Sequence, residues 1–219
     1  MRLYLSSFRI GDHPEILIKL AGDHRRTAMI ANAIDHLPAE VRTARVEEEL
    51  GRLREVGLEP YELDLRRFSG RPGSLREALD GVGIVWLRGG NVFVLRHRLA
   101  ESGFDQLLLE VLGADRYVVG GYSAGVCVLG TTLAGLEACD PLADLEQVAP
   151  GAEPVIDGLG ILDGTVVPHL DSPEHPESAV LTSVADELRG AGRTLIELRD
   201  GDVLLITDDN RALLPRARH

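Results

Sequence analysis

Short apolar segments alternate along the chain with longer amphipathic ones. Residues 83–87 read Gly-Ile-Val-Trp-Leu, an apolar run of strand length, whereas Val46, Leu50 and Leu53 recur at helical spacing among arginines and glutamates. Strands that alternate with amphipathic helices are typical of a mostly parallel sheet covered by helices on both faces. We therefore predict a three-layer α/β fold that forms one domain over residues 1–219.

The same pattern assigns most of the chain to individual elements. Strands are predicted over residues 3–6, 27–31, 61–65, 83–87, 117–119 and 165–167. Helices are predicted over residues 38–56, 74–79, 92–100, 104–112 and 177–189. Residues 194–198 and 203–207 are predicted to pair as a hairpin through Asp200-Gly201, residues 139–152 to be irregular, and the basic tail from Pro215 to fray.

The strongest chemical signal is the sequence Gly-Tyr-Ser-Ala-Gly at residues 121–125, between a short apolar strand and a helical segment. A G-x-S-x-G sequence in that setting indicates a nucleophile elbow, a tight strand-to-helix turn that lifts a serine off the end of the sheet. We therefore predict Ser123 as a nucleophile. A glycine-rich turn that binds an anion, or that only packs, is the alternative.

A serine hydroxyl is a weak nucleophile and needs a base. Among the seven histidines, His169 follows the apolar run at 165–167 and a proline. It is therefore predicted to emerge at the carboxyl end of a strand, where the active sites of open α/β sheets lie. His175 is the competing candidate. We expect Ser123 and His169 to meet at one edge of the same sheet.

The base in turn needs an orienting carboxylate, which is expected between the serine and the histidine in the chain. The acidic residues of that stretch are Glu137, Asp140, Asp144, Glu146, Glu153, Asp157 and Asp163. Their spacing does not choose among them. Asp140 precedes a proline in a predicted turn, which favours a fixed side chain, and a solvated turn aspartate is the alternative.

Two backbone N–H groups are needed to hold the oxyanion that forms when a serine attacks a carbonyl. The residue after the nucleophile, Ala124, is expected to supply one of them. The loop at residues 88–91, Arg-Gly-Gly-Asn, is expected to supply the other through Gly90, because glycines let a backbone approach the substrate closely. The loop also fits a turn into the next helix with Asn91 as the N-cap, and both interpretations can hold together.

Composition limits the binding partners, the cofactors and the cellular compartment that we expect for this protein. The net charge of −12 makes nucleic acid and anionic membrane surfaces poor partners. Cys127 and Cys139 lack the spacing of a zinc site or a disulfide scaffold, and we expect neither a metal nor an organic cofactor. The sequence has no secretory pattern and no apolar run of membrane-spanning length, so the cytoplasm is the expected compartment.

Three segments together resemble the peptidase E (aspartyl dipeptidase) and cyanophycinase family of serine peptidases. They are residues 86–93 (Trp-Leu-Arg-Gly-Gly-Asn-Val-Phe), 121–125, and Pro-His at 168–169, and the similar order and spacing extend over about residues 25–200. The resemblance implies a fold related to the class I glutamine amidotransferases, with a flavodoxin-like architecture and a serine in place of their elbow cysteine.

The resemblance also implies roles for individual residues. Ser123 becomes the nucleophile, His169 the base, and Gly90 the loop glycine of the oxyanion hole. The family acid lies in a turn shortly after the elbow helix and before a proline, which points to Asp140.

Two departures from the family pattern bear on specificity. Val92 stands where peptidase E usually has threonine, and residues 169–177 differ from peptidase E at that place. The glycine loop still places the chain nearer to peptidase E than to the cyanophycinases. A preference for N-terminal aspartate would need a cation facing the substrate side chain. Arg88, by its position, and Asn91 are the predicted substrate-binding residues, and a surface arginine is the alternative for Arg88.

These predictions describe a hydrolytic domain that cleaves a small peptide through an acyl-enzyme on a Ser-His-Asp triad. An esterase, an amidase or a cyanophycinase-like hydrolase on the same scaffold is the first alternative, because acyl-transfer machinery does not itself distinguish esters from amides. A non-catalytic protein that holds a small anion at the glycine-rich strand ends is the second. The sequence carries no signal for oligomeric state, and a homodimer is compatible with it.

Overall fold

A computed structural model describes residues 1–217 of the chain. Its centre is a seven-stranded sheet with the strand order β3-β2-β4-β5-β1-β8-β9, and β6 and β7 form a separate pair. The strands are β1 (Arg2–Ser6), β2 (Arg26–Ile30), β3 (Glu59–Glu62), β4 (Ile84–Leu87), β5 (Val118–Tyr122), β6 (Thr165–Val167), β7 (Leu195–Glu197), β8 (Val203–Thr207) and β9 (Asn210–Leu214).

Helices cover both faces of this sheet. They are α1 (Pro14–Ala21), α2 (Ala39–Glu55), α3 (Pro72–Ala78), α4 (Val92–Ser102), α5 (Phe104–Gly113), α6 (Ala124–Cys127), α7 (Leu142–Val148) and α8 (Ser178–Gly190). Leu3 and Leu5 of β1 pack in one buried apolar cluster with residues of α3, α4, α5 and α8, whereas Tyr4 packs in another with residues of α1 and α2. The predicted three-layer α/β fold is therefore confirmed. Within residues 1–217, no helix has the length and apolar character needed to cross a membrane.

The pairing of the central strands brings three loops together. β5 pairs in parallel with β4 on one side and with β1 on the other, so that Gly121 lies opposite Leu87, and Tyr122 lies opposite Ser6. The chain leaves these three strands at the same edge of the sheet. In parallel α/β sheets, ligands bind at this carboxyl edge.

The turn after β5 packs closely enough on β4 to require glycine. A Cβ atom at Gly125 would lie 2.1 Å from the carbonyl oxygen of Leu87, and one at Gly121 would lie 2.5 Å from the same oxygen. Only residues without a side chain allow the two strands and the turn to approach this closely. This close packing is the physical reason for both glycines of the G-x-S-x-G sequence.

The predicted hairpin of residues 194–198 and 203–207 is wrong. β7 pairs in parallel with β6, whereas β8 pairs antiparallel with β1 and with β9, a strand that the sequence pattern does not predict. With only three residues, β7 has its partner decided by tertiary packing and not by the turn-forming Asp200-Gly201. The segment between β7 and β8 is thus a connection between two sheets.

Two helices also differ from the prediction. No element is predicted where α1 lies, although Pro14 stands at its start, a position where proline is favoured. α7 crosses the segment predicted to be irregular. Pro141 is its N-cap, and a proline there breaks no hydrogen bond of the helix.

The start of the tail is better ordered than predicted. The Arg216 N–H donates to Asp202 Oδ1 at 2.7 Å, and the Ala217 N–H donates to Asp12 Oδ2 at 2.9 Å. The prediction of a frayed tail therefore fails for these two residues, while residues 218 and 219 lie outside the described part of the chain.

Candidate active site

Ser123 lies at the turn between β5 and α6 in a conformation that few non-glycine residues adopt. Its φ is 51° and its ψ is −122°, and its N–H donates to the Ser7 carbonyl at 3.1 Å. A positive φ at such a residue costs of order 1–3 kcal/mol and is found mainly at functional sites. The sheet therefore holds this serine in the strained turn typical of a nucleophile elbow.

The His169 ring reaches Ser123 from outside the central sheet. This histidine follows β6, is fully buried, and also has a positive φ, of 60°. Its Nε2 lies 3.1 Å from Ser123 Oγ. The two predicted residues thus meet, but the expectation that both come from the same sheet is wrong, because β6 belongs to the separate two-stranded pair.

The carboxylate at the far side of the imidazole is Asp200. Its Oδ1 lies 2.6 Å from His169 Nδ1, so the Ser123 hydroxyl, the imidazole and this carboxylate form one continuous row. The prediction of Asp140 as the orienting acid is corrected accordingly. The order along the chain is serine, histidine, aspartate, and the expectation of an acid between Ser123 and His169 excluded Asp200.

Asp140 instead holds the glycine-rich loop. Its Oδ2 accepts a hydrogen bond from the Val92 N–H at 2.9 Å, at the first turn of α4. Burial raises the pKa of the Asp140 carboxyl to about 7, and the nearby carboxylates of Glu177 and Asp144 add to the rise against the opposing effect of the Val92 hydrogen bond.

This raised pKa predicts a pH dependence of stability. The Asp140 carboxyl has an ordinary pKa of 3.8 in the unfolded chain and a pKa of about 7 in the folded protein, so the folded state binds more protons between these values. Its contribution to the free energy of unfolding therefore falls as pH rises from about 4 to about 7. The variant Asp140→Asn keeps an oxygen for Val92 and should lose less stability over this range than the wild type in urea denaturation. If the free energy of unfolding fell equally with pH in Asp140→Asn and in the wild type, this account would be contradicted. Asp209→Asn, at an exposed position, is the control variant.

Another serine, Ser7, is buried and connects the histidine to its carboxylate. Ser7 follows β1, and its Oγ accepts from the His169 N–H at 2.8 Å and donates to Asp200 Oδ1 at 2.8 Å. The Asp200 N–H donates to Ser172 Oγ at 2.9 Å. Burial by itself raises the pKa of Asp200, but hydrogen bonds from His169 and Ser7 outweigh burial and hold that pKa below its usual value. Sequence reasoning missed Ser7, whose one available signal is its position at the end of a strand.

Two backbone N–H groups close to Ser123 in the chain or in the site, those of Gly90 and Ala124, are predicted to hold the oxyanion. Within residues 1–217, neither the Gly90 N–H nor the Ala124 N–H donates to another group of the protein. Gly90 has a φ of 146°, and a Cβ there would lie 2.6 Å from the Ala33 carbonyl oxygen. The loop therefore requires glycine at this position, and both predicted oxyanion donors are free to bind a ligand.

The two predicted substrate-binding residues, Asn91 and Arg88, differ in whether their polar side-chain atoms are already hydrogen-bonded inside the protein. Asn91 is 3% exposed; its Oδ1 caps α4 through the N–H groups of Phe93 and Val94, and its amide donates to Pro141 O and Asp144 Oδ2. Its side chain is thus fully used inside the fold, which corrects the substrate-binding prediction for Asn91. Arg88 lines the site, with Nη1 donating to Gly89 O at 2.6 Å, and its buried Nε has no hydrogen-bond partner among residues 1–217.

His175, the competing histidine, stacks on His169 and does not bond to Ser123. The two rings lie 3.5 Å apart with an interplanar angle of 1°. The His175 Nδ1 accepts from the Glu177 N–H at 3.3 Å, and burial, followed by the neighbouring His169, lowers the pKa of His175. His175 is therefore favoured as a neutral ring above the histidine that contacts the serine.

His169, His175 and Glu177 bring three potential metal ligands close together. Atoms of His169, His175 and Glu177 lie within 4.8 Å of one another. Parallel rings direct their nitrogen lone pairs side by side and not toward a shared point, and the His169 nitrogens already face Ser123 and Asp200. This arrangement suits ring stacking better than metal coordination.

A cavity of about 330 Å³ opens above Ser123. Among the residues that the structure describes, three acidic side chains line it, those of Asp140, Asp144 and Glu177, together with one arginine, Arg88. The volume lies at the lower end of the range for small-molecule sites. The site can therefore hold a compact substrate against Ser123, His169 and the glycine-rich loop that carries Gly90.

Residues 17–214 match the model of peptidase family S51. The chain belongs to peptidase family S51. This membership confirms, at the level of the family, the resemblance drawn from the glycine loop, the elbow and the Pro-His pair.

Two curated Listeria proteins are similar to part of this chain. The chain is 28% identical over 120 residues to the uncharacterized peptidase Lin0382 of Listeria innocua, and 27% identical to Lmo0363 of Listeria monocytogenes. Each alignment covers 55% of this chain and 54% or 55% of the relative, so the chain spans about half the length of the curated relatives it matches.

Two crystal structures share the fold of this S51 chain over nearly its whole length. One is a Listeria monocytogenes EGD-e protein named after peptidase E, with a TM-score of 0.77, 20% identity, and coverage of 99% of this chain and 98% of that one. The other is a peptidase from an acI-B1 Actinobacterium, with a TM-score of 0.63, 16% identity, and coverage of 99% and 95%. At these identities the likeness shows the fold alone.

Proposed function

We propose that this S51 member is a serine peptidase that cleaves small peptides through an acyl-enzyme, with Ser123, His169 and Asp200 as its triad. One observation carries the proposal: the row of contacts from Ser123 Oγ through the His169 ring to Asp200 Oδ1, at 3.1 and 2.6 Å. A nucleophile, a base and an orienting carboxylate in this order are the machinery of acyl transfer.

In the first step, His169 Nε2 takes the proton of the Ser123 hydroxyl while Oγ bonds to the scissile carbonyl carbon. Asp200 holds the proton on Nδ1 and stabilises the imidazolium that forms. The imidazolium then gives its proton to the leaving amine as the carbon–nitrogen bond breaks. Water, deprotonated by the same histidine, releases the acid product and restores the hydroxyl.

The oxyanion of each tetrahedral intermediate is assigned to the N–H groups of Gly90 and Ala124. Neither N–H has an acceptor among residues 1–217, and Ala124 begins α6 directly after the nucleophile. A donor of this kind lowers the barrier by about 3–4 kcal/mol. Asp140 and Asn91 contribute indirectly, because they fix the start of α4 and hence the loop that carries Gly90.

Labelling and turnover together test this function. A fluorophosphonate probe is expected to modify one residue, Ser123, as located by mass spectrometry of peptides. A panel of dipeptides with varied first residues is then compared with aryl esters at equal concentration. We expect turnover of dipeptides, with the first residue deciding the rate.

The panel also separates the alternatives. Hydrolysis of esters without any dipeptide would replace the peptidase by an esterase. Well-folded protein that takes up no probe and turns over neither substrate class would overturn the acyl-transfer proposal as a whole.

A further inference from the structure

The hydrogen bonds of His169 hold its two ring nitrogens but touch only the edge of the ring. Nε2 and Nδ1 lie 3.1 Å from Ser123 Oγ and 2.6 Å from Asp200 Oδ1. Rotation of the ring about its bond to Cβ would tilt both nitrogens away from these partners, and a misplacement of about 1 Å can cost about 100-fold in rate. The geometry of the base therefore depends on what contacts the faces of its ring.

His175 covers one face of the His169 ring. The two rings are parallel to within 1°, with 3.5 Å between their centroids, so they overlap almost fully. Phe8 packs steeply against both rings, at 74° to His169 and 75° to His175. Aromatic pairs by themselves prefer offset or edge-to-face arrangements. The full overlap is therefore imposed by the segment of chain that carries His175.

The turn between β6 and α8 anchors this stacked ring. The His175 N–H donates to the Ser172 carbonyl at 2.8 Å, and the Ser178 N–H donates to the His175 carbonyl at 3.1 Å. The Glu177 N–H donates to His175 Nδ1 at 3.3 Å, which sets the rotation of the ring. The Ser172 hydroxyl also accepts from the Asp200 N–H at 2.9 Å. The stacked ring and the triad carboxylate are thus anchored on the same serine.

The stack favours the charged form of the base that arises during the reaction. As a general base, His169 begins neutral and becomes an imidazolium when it takes the proton of Ser123. Burial, followed by the neighbouring His169, lowers the pKa of His175 against the opposing effect of Asp200, which favours a neutral ring. The face of a neutral aromatic ring attracts a cation. The contact therefore strengthens as the transition state forms, which is the condition for an effect on rate.

Resting on the serine peptidase function, we propose that His175 is a positioning residue for the catalytic base. Through the stacked faces it holds the His169 ring in the plane that joins Ser123 Oγ to Asp200 Oδ1, and it supports the imidazolium that forms there. His175 itself exchanges no proton with the substrate. The role belongs to the flat aromatic ring and not to a ring nitrogen, so another aromatic side chain should fill it.

Two replacements separate the ring of His175 from its hydrogen bond. His175→Phe keeps a flat aromatic ring without an acceptor for the Glu177 N–H, whereas His175→Asn keeps an acceptor without the ring. On the dipeptide with the highest kcat/KM in the panel, His175→Asn should lower kcat by about 10- to 100-fold and change KM by less than about threefold. His175→Phe should keep kcat within about threefold of the wild type.

Two controls accompany these variants. Rates are expressed per site titrated by exhaustive fluorophosphonate labelling, so that misfolded molecules do not count. His24→Asn makes the same replacement at an exposed histidine and should behave as the wild type. If His175→Asn does not fold, His175→Leu, which also lacks an aromatic ring, takes its place with the same expected loss.

Three outcomes would overturn the positioning role. Wild-type kcat in His175→Asn would mean that the stack does not affect the base. Equal losses of kcat in His175→Asn and His175→Phe would assign the effect to a ring nitrogen, and a rise in KM without a fall in kcat would make His175 a substrate contact. Failure of the peptidase function itself looks different, because the wild type would then cleave no dipeptide and Ser123 would take up no fluorophosphonate.

Discussion

Replacing Asp200 by asparagine is expected to lower kcat by about 10³- to 10⁴-fold with little change in KM. The carboxylate accepts a hydrogen bond from the N–H at His169 Nδ1, with 2.6 Å between the heavy atoms, which leaves Nε2 as an acceptor for the Ser123 hydroxyl at 3.1 Å. An asparagine amide can donate to Nδ1 and so favour the opposite tautomer, in which Nε2 carries a proton and cannot act as a base. The imidazolium would also lose its counter-charge. Steady-state kinetics on the best dipeptide and the rate of fluorophosphonate labelling would both measure the loss.

Asp140→Asn is the matched control for this change. Both residues are partly or largely buried aspartates at the site, but Asp140 binds the Val92 N–H, which an asparagine oxygen can still accept. We expect Asp140→Asn to keep kcat within about tenfold of the wild type, since the glycine loop keeps its anchor. The reverse ranking, with Asp140→Asn slower than Asp200→Asn by orders of magnitude, would refute the assignment of Asp200 as the orienting acid.

The fold could be read from the sequence where local pattern and tertiary packing agree. β4 is a continuous apolar run because both its faces are buried, and α2 shows a helical period because only one face is. The elbow was predictable for a similar reason, since the close approach of β5 and the following turn to Leu87 requires glycine at two positions of the motif. In each case a single segment carries the whole signal.

The triad acid could not be read in this way, because its place depends on which strands pair. Asp200-Gly201 has the sequence of a hairpin turn, and only the pairing of β7 with β6 shows that the segment connects two sheets. That connection turns Asp200 toward His169. The rule that functional side chains follow strand ends, which selected His169, also applies to Asp200 once the end of β7 is known.

The hydrogen bonds that Ser7 makes to His169 and Asp200 could not be predicted from the sequence either. A serine after an apolar strand is common, and nothing in residues 2–8 indicates a partner about 160 residues or more away. In the fold, β1 lies directly beside β5, so Ser7 comes to bond both His169 and Asp200. Sequence therefore located the nucleophile and the base, whereas the contacts that orient the base arise from non-local strand order.

Replacing Ser123 by alanine is expected to reduce kcat by about 10⁴- to 10⁶-fold, the largest effect of any single change in this chain. Within the described residues 1–217 the side chain makes one hydrogen bond, to His169 Nε2, and the strained turn is set by the backbone and its glycine neighbours. The variant should therefore fold like the wild type, take up no fluorophosphonate, and still bind substrate. The exposed Ser183→Ala on α8 is the control and should retain both labelling and turnover.

The double variant Ser123→Ala with Asp200→Asn shows whether the three side chains work as one unit. Without the nucleophile, the base has no proton to take and its orientation no longer affects the rate, so the double variant should be about as slow as Ser123→Ala alone. Residual activity would come from binding and from the Gly90 and Ala124 N–H groups, which both variants keep. A further loss of 10³-fold on adding Asp200→Asn would mean that Asp200 acts independently of Ser123, and the hydrogen-bonded row would then not be the catalytic machinery.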